Sequence, residues 1–161
     1  MNIIELKFTN INQSSTKESI LSVDINDGRV GMSSIVKSNL LLDFEAQEQN
    51  TLKIYFVNKE DTDTVTDDNG NIVSDMNFEL ESIKIDGIDI EDLKWRGDYH
   101  TDKQVFESCL FFGPKGYYEL NFTTPILKWT LEQNHLKNKN DPNWEEDYNY
   151  YTEAWNRLHS N

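Results

Sequence analysis

Hydrophobic residues alternate with polar ones over most of the first two-thirds of the chain. Ile4, Leu6 and Phe8 form one such set, Leu21, Val23 and Ile25 a second, Leu40, Leu42 and Phe44 a third, and Leu52, Ile54 and Phe56 a fourth. A period of two places each set on one face of an extended strand. Phe78 and Leu80 continue into Ile83 and Ile85 with a change of phase, which predicts a β-bulge. Asn69-Gly70 and Asp86-Gly87 accept positive φ at both central positions of a type I′ turn, so each predicts a hairpin. Gly113-Pro114-Lys115-Gly116 separates Leu110-Phe111-Phe112 from the run Tyr117 to Phe122, which predicts another hairpin with a longer loop. The longest polar connection is 60–75. Many short strands between turn signals predict a β-sandwich.

The period changes in the last quarter. Thr124-Pro125 is a helix-start signal, and Ile126, Leu127, Thr130 and Leu131 follow at helical spacing, predicting a short helix. A polar linker, His135 to Asn140, leads to Asp141-Pro142 and a second predicted helix over 142–158. Glu145, Glu146 and Asp147 lie near its positive end and Arg157 near its negative end. Trp144, Tyr148, Tyr151, Trp155 and Leu158 fall on one stripe of that helix. Such a stripe is buried on the domain's own sandwich or on a neighbouring subunit. Its position behind a linker, after strands enough for two sheets, makes it an expected interface element. The organisation is thus a sandwich domain over 1–134 and a linker with an aromatic helix over 135–161.

Composition limits what such a sandwich does. At 161 residues the chain fits one core. Hydrophobic residues are only 37%, yet 4 Trp, 7 Tyr and 8 Phe supply large buried areas per side chain. Fifteen Lys and Arg against 29 Asp and Glu leave a formal charge of −14, which repels a phosphate backbone and argues against nucleic acid as partner. Cys109 is the single cysteine, so neither an intramolecular disulfide nor a cysteine-based zinc site forms. No run of about 18 apolar residues predicts a membrane span. The start, MNIIELKF, lacks the basic stretch and apolar run of a signal peptide, so a soluble chain without an anchor of its own is expected.

Catalytic signatures are missing: there is no Gly-x-Ser-x-Gly, no phosphate-binding glycine loop and no His-Glu-x-x-His, and the three histidines lie far apart. The expectation is a non-enzyme. Segment 61–73 spaces carboxylates by two around Asn69-Gly70, as hard-oxygen calcium loops do. The EF-hand register fails, because Gly70 in the glycine position puts Val65 and Met76 at the two anchor positions. Asp98, His100 and Asp102 fall on one face of an extended segment with Tyr99 opposite, a candidate metal face. Trp95 and Tyr99 are candidate platforms for stacking on sugar rings. Arg96-Gly97-Asp98 spells the cell-adhesion tripeptide, a three-letter match that carries no weight alone.

The run from Leu52 to Ile88 resembles the calcium-dependent xylan-binding family of carbohydrate-binding modules. The residues that carry the likeness are Asn58-Lys59, Asp75-Met76-Asn77 and Leu80-Glu81-Ser82-Ile83-Lys84-Ile85-Asp86-Gly87. The resemblance implies a jelly-roll-like antiparallel β-sandwich, a glycan partner, and calcium as cofactor held by Asn58, Asp75 and Asn77. Lys59 departs from the pattern by putting a cation where the family has a carboxylate, with Asp61 or Asp63 as substitute ligands. The reading is a non-catalytic carbohydrate-binding module. The alternative is a phage virion subunit, for head decoration or the tail, that assembles with neighbouring subunits or as a homo-oligomer and binds no sugar.

Overall fold

The period-two segments form strands. The computed structural model describes residues 1–13, 17–34, 39–137 and 144–159. In chain order the strands are β1 (Asn2–Gln13), β2 (Ile20–Ile25), β3 (Gly28–Ser34), β4 (Asn39–Phe44), β5 (Gln49–Phe56), β6 (Val65–Thr66) and β7 (Ile72–Ser74). There follow β8 (Met76–Ile85), β9 (Ile88–Asp89), β10 (Asp98–His100), β11 (Val105–Phe106), β12 (Phe111–Phe112) and β13 (Gly116–Thr123). One sheet has the order β12-β8-β1-β4, with β9 also paired to β8. The other runs β11-β10-β13-β5-β2-β3, and β6 with β7 forms a small separate hairpin. All pairings are antiparallel. The chain passes repeatedly from one sheet to the other, giving the jelly-roll-like antiparallel sandwich that the sequence predicts.

The predicted strand faces are the core. Ile4, Leu6 and Phe8 from β1 and Phe78, Leu80, Ile83 and Ile85 from β8 face the inward residues of β2, β5 and β13. The phase change in β8 is a bulge: Lys7 pairs with Ser82 while Phe8 pairs with Leu80. Phe78 stacks on Phe112 with centroids 4.6 Å apart, and Phe8 meets Phe78 edge-on at 5.6 Å. Such ring pairs add about 0.5–1.5 kcal/mol each beyond area burial. Asp86 (φ 51°) and Gly87 (φ 80°) make the predicted turn, with Ile85 opposite Ile88. Asn26 (φ 54°) and Asp27 (φ 63°) make a similar turn between β2 and β3 without a glycine.

One predicted hairpin is corrected. β12 pairs with β8 in the first sheet, whereas β13 pairs with β5 and β10 in the second. The Gly113 to Gly116 loop therefore carries the chain between sheets, because Phe112 is drawn onto Phe78 and Tyr118 onto the opposite layer. Helix α1 (Ile126–Lys137) docks through Ile126 and Trp129, whose indole packs on Phe122 at 6.3 Å, while Leu127 and Leu131 are only half-buried. Helix α2 (Trp144–His159) forms where the sequence predicts it and packs against α1. The side chains of its stripe, Trp144, Tyr148, Tyr151, Trp155 and Leu158, lie outside the described residues. Among the described residues no helix is long and apolar enough to cross a membrane.

Candidate functional site

Three large aromatic side chains reach solvent at one open edge of the sandwich. Trp95 is 48% exposed, Phe111 43% and Phe106 37%. Trp95 stands on the 3-10 helix Glu91–Arg96, whose inward residue is Leu93. Phe106 and Phe111 belong to β11 and β12, the edge strands of different sheets. Residues 107–110 bridge those edges. Ser108 there holds φ at 50°, a left-handed conformation that costs a non-glycine residue roughly 1–2 kcal/mol. Its N–H donates to Asp98 Oδ1 at 3.0 Å, and Leu110 O accepts the Leu80 N–H at 2.9 Å. These two anchors hold the bridge, and with it the two phenylalanines.

A groove adjoins this edge on each side. One, of about 870 Å³, lies beside Trp95, with Glu79, Glu81 and Lys94 on its rim. The other, of about 1200 Å³, includes His100, Asp102, Gln104 and Tyr117. Phe106 and Phe111 line both. Glu81 accepts Lys7 Nζ at 3.0 Å through one oxygen, and its other oxygen is closed off from solvent with no hydrogen-bond partner among the described residues. His100 lies in a row of side chains crossing the outer face of the second sheet. The register runs Val105, His100, Tyr117, Tyr55, Ser22, Met32. His100 and Tyr117 are parallel within 4° at 4.8 Å, and Tyr117 and Tyr55 lie 5.0 Å apart. The stacked His100 and Tyr117 rings cover each other's faces, which leaves Trp95, Phe106 and Phe111 as the exposed rings of this edge.

Tyr99 is not a platform. It is wholly buried, and its hydroxyl donates to Pro114 O at 2.6 Å. The alternation that sends Asp98 and His100 outward sends Tyr99 into the core, where burial pushes its pKa far above the usual tyrosine value. The outward face of β10 is no metal face either. Asp98 is engaged by Ser108, Asp102 lies in the turn beyond the strand, and no cluster of three or more His, Cys, Asp or Glu able to hold a metal occurs among the described residues.

The residues expected to bind calcium do not converge. Asn58 Oδ1 accepts the Ile20 N–H at 2.8 Å and its Nδ2 donates to Glu18 O at 2.6 Å, so this side chain clamps the start of β2. Asp75 sits at the other end of the acidic loop, 7% exposed. Its Oδ1 accepts Lys59 Nζ, Thr64 Oγ1 at 2.7 Å and the Met76 N–H at 2.9 Å, and its Oδ2 accepts Asn77 Nδ2 at 2.9 Å. Asn77 thus offers Asp75 a donor. Burial raises the Asp75 pKa, but the hydrogen bonds from Lys59, Asn77 and Thr64 outweigh it and hold the carboxyl below the usual carboxylate value. The substitute ligands do not fill the gap, because Asp63 pairs with Lys17 Nζ at 3.1 Å and Asp61 lies on the exposed one-turn helix Asp61–Asp63. A cation already belongs to this cup, and it is Lys59.

No protein-family model and no curated protein matches the sequence. Solved structures do. A vCBM60 structure, in its SeMet form, comes from work on circular permutation between two families of calcium-dependent carbohydrate binding modules. It aligns with 74% of this chain and 89% of its own at 10% identity, with a TM-score of 0.52. The chain shares that module's fold. A second structure, vCBM60 in complex with galactobiose, aligns with 73% of this chain and 95% of its own at 10% identity, with a TM-score of 0.49. At this identity the shared module fold says nothing of which residues bind, so the site rests on the geometry above. Of the two platform candidates named from the sequence, Trp95 is exposed and Tyr99 is buried, and no candidate role falls to Phe106 or Phe111 on sequence grounds. Phe111 carries one signal, that the middle residue of the extended run Leu110-Phe111-Phe112 faces away from its two neighbours.

Proposed function

We propose that this domain is a non-catalytic carbohydrate-binding module whose ligand lies along the open edge, on Trp95, Phe111 and Phe106. The observation that carries this reading is the exposure of three large aromatics around two adjoining grooves with polar rims. Sugars present apolar C–H faces to aromatic rings and hydroxyls to polar groups, and the edge offers both. Glu79, Glu81 and Lys94 on the rim of one groove and Gln104 in the other supply polar groups for sugar hydroxyls. The module fold supports the same reading. Because Phe106 and Phe111 line both grooves, the edge suits an oligosaccharide spanning several rings.

Isothermal titration with galactobiose and with xylo-oligosaccharides of increasing length, preceded by a glycan array, tests this. Trp95→Ala and Phe111→Ala are expected to weaken binding at least tenfold, about 1.4 kcal/mol each. Both residues are about half exposed, so the loss of melting temperature should be smaller than that of a core truncation. Trp95→Ala should cost longer chains more than disaccharides. A domain that binds no glycan on the array, or binds equally well without Trp95 and Phe111, would sink the reading. Assembly through α2 is a separate proposal.

A further inference from the structure

The shared fold brings calcium with it as an expectation, and the cup at Asp75 does not fit that ion. Calcium takes carboxylate and carbonyl oxygens at about 2.3–2.6 Å. Here a carboxylate oxygen of Asp75 and the carbonyl of Met76 both accept hydrogen bonds from the Lys59 ammonium, the second at 2.7 Å. Lys59 and Asp75 are 5% and 7% exposed. Calcium entering the same oxygens would have to expel a tethered cation and leave its stem's volume empty. A second ammonium acts on the same loop: Lys17 Nζ donates to Glu60 at 3.2 Å and to Asp63 at 3.1 Å. At the loop tip Asp67 accepts backbone N–H groups of Asn69 at 2.9 Å and Asn71 at 2.8 Å.

We propose that Lys59 is the resident cation of this domain, its ammonium tying the acidic loop to the start of β8 in place of a divalent ion. The loop is then ordered without calcium. This inference stands apart from the glycan reading, because it is read from folding alone.

Thermal melts of the full chain in EDTA and in millimolar calcium chloride are expected to coincide within about 1 °C, since an ion without preferential affinity for the folded state shifts nothing. Lys59→Met keeps the stem but strands Asp75 in a buried place, and should lower the midpoint by roughly 8–12 °C. Lys59→Asp removes the ammonium and adds a second carboxylate on a shorter side chain, which leaves room between it and Asp75 for an ion. It should melt low in EDTA and regain several degrees in calcium, a response that magnesium does not reproduce. A wild-type midpoint that rises with calcium or falls with EDTA overturns the proposal, as does a folded Lys59→Asp chain indifferent to calcium. Should Lys59→Asp fail to fold in either condition, the wild-type pair of melts decides alone.

Discussion

Tyr118 and Tyr99 are buried phenols whose hydroxyls donate to the backbone carbonyls of Lys94 and Pro114, each at 2.6 Å. Burial pushes both pKa values well above the ordinary value of 10.0. A group whose folded pKa is raised contributes stability that is complete below its unfolded pKa and lost as pH rises beyond it. The domain should therefore weaken above about pH 10, by up to roughly 1.4 kcal/mol per pH unit for each tyrosine. Urea melts between pH 8 and 11 check this, and Tyr118→Phe should make the fall shallower, although it orphans the Lys94 carbonyl. A slope unchanged by that substitution would count against the assignment. Tyr99 also shows the limit of reading single residues. Its aromatic character was legible, and so was its alternation with Asp98 and His100, but which face looks inward was not. The answer came from Phe112, which reaches Tyr99 at 4.9 Å from the other sheet.

At the scale of elements, alternation made β1, β2, β4, β5 and β8 legible because each buries one face, and the bulge in β8 showed as a change of phase. Sheet membership was not legible. Phe111-Phe112 and Tyr117 to Phe122 look like hairpin partners, yet they lie in different sheets, because pairing is decided by contacts tens of residues away. The loop between them has a strict requirement at Gly116, where an added Cβ would stand 2.1 Å from the His100 carbonyl oxygen. Gly116→Ala should cost roughly 1–3 kcal/mol, since backbone cannot yield as a side chain does. Because it pushes β10 from β13, it should weaken glycan binding as well. Denaturant melts and titration read the two effects. Helix α2 is separable in principle, resting on α1 rather than within a sheet. Deleting 141–161 is expected to leave a folded sandwich and, if the aromatic stripe grips a neighbour, to turn an oligomer into a monomer on sizing with light scattering. A truncated chain that does not fold would assign the helix to the core.

For the whole molecule, the formal charge of −14 sets which ligands approach. Single-sign fields repel like-charged partners over about 8–10 Å at physiological ionic strength. Neutral oligosaccharides should bind with little dependence on salt, while sulfated or uronate-rich glycans should be rejected at low salt and tolerated better as salt rises. Affinity measured across a sodium chloride series for one ligand of each kind checks this. The charge was legible in the sequence. The open edge was not, because Trp95, Phe106 and Phe111 come together only when both sheets end beside the same bridge.

Cys109 lies in that bridge, lines the groove beside Trp95, and is the chain's single cysteine. Its thiol is partly buried against the core and donates to Phe111 O at 3.5 Å. The rate at which a small thiol reagent reacts there would therefore time the opening of the bridge, and a ligand seated in the groove should slow that clock.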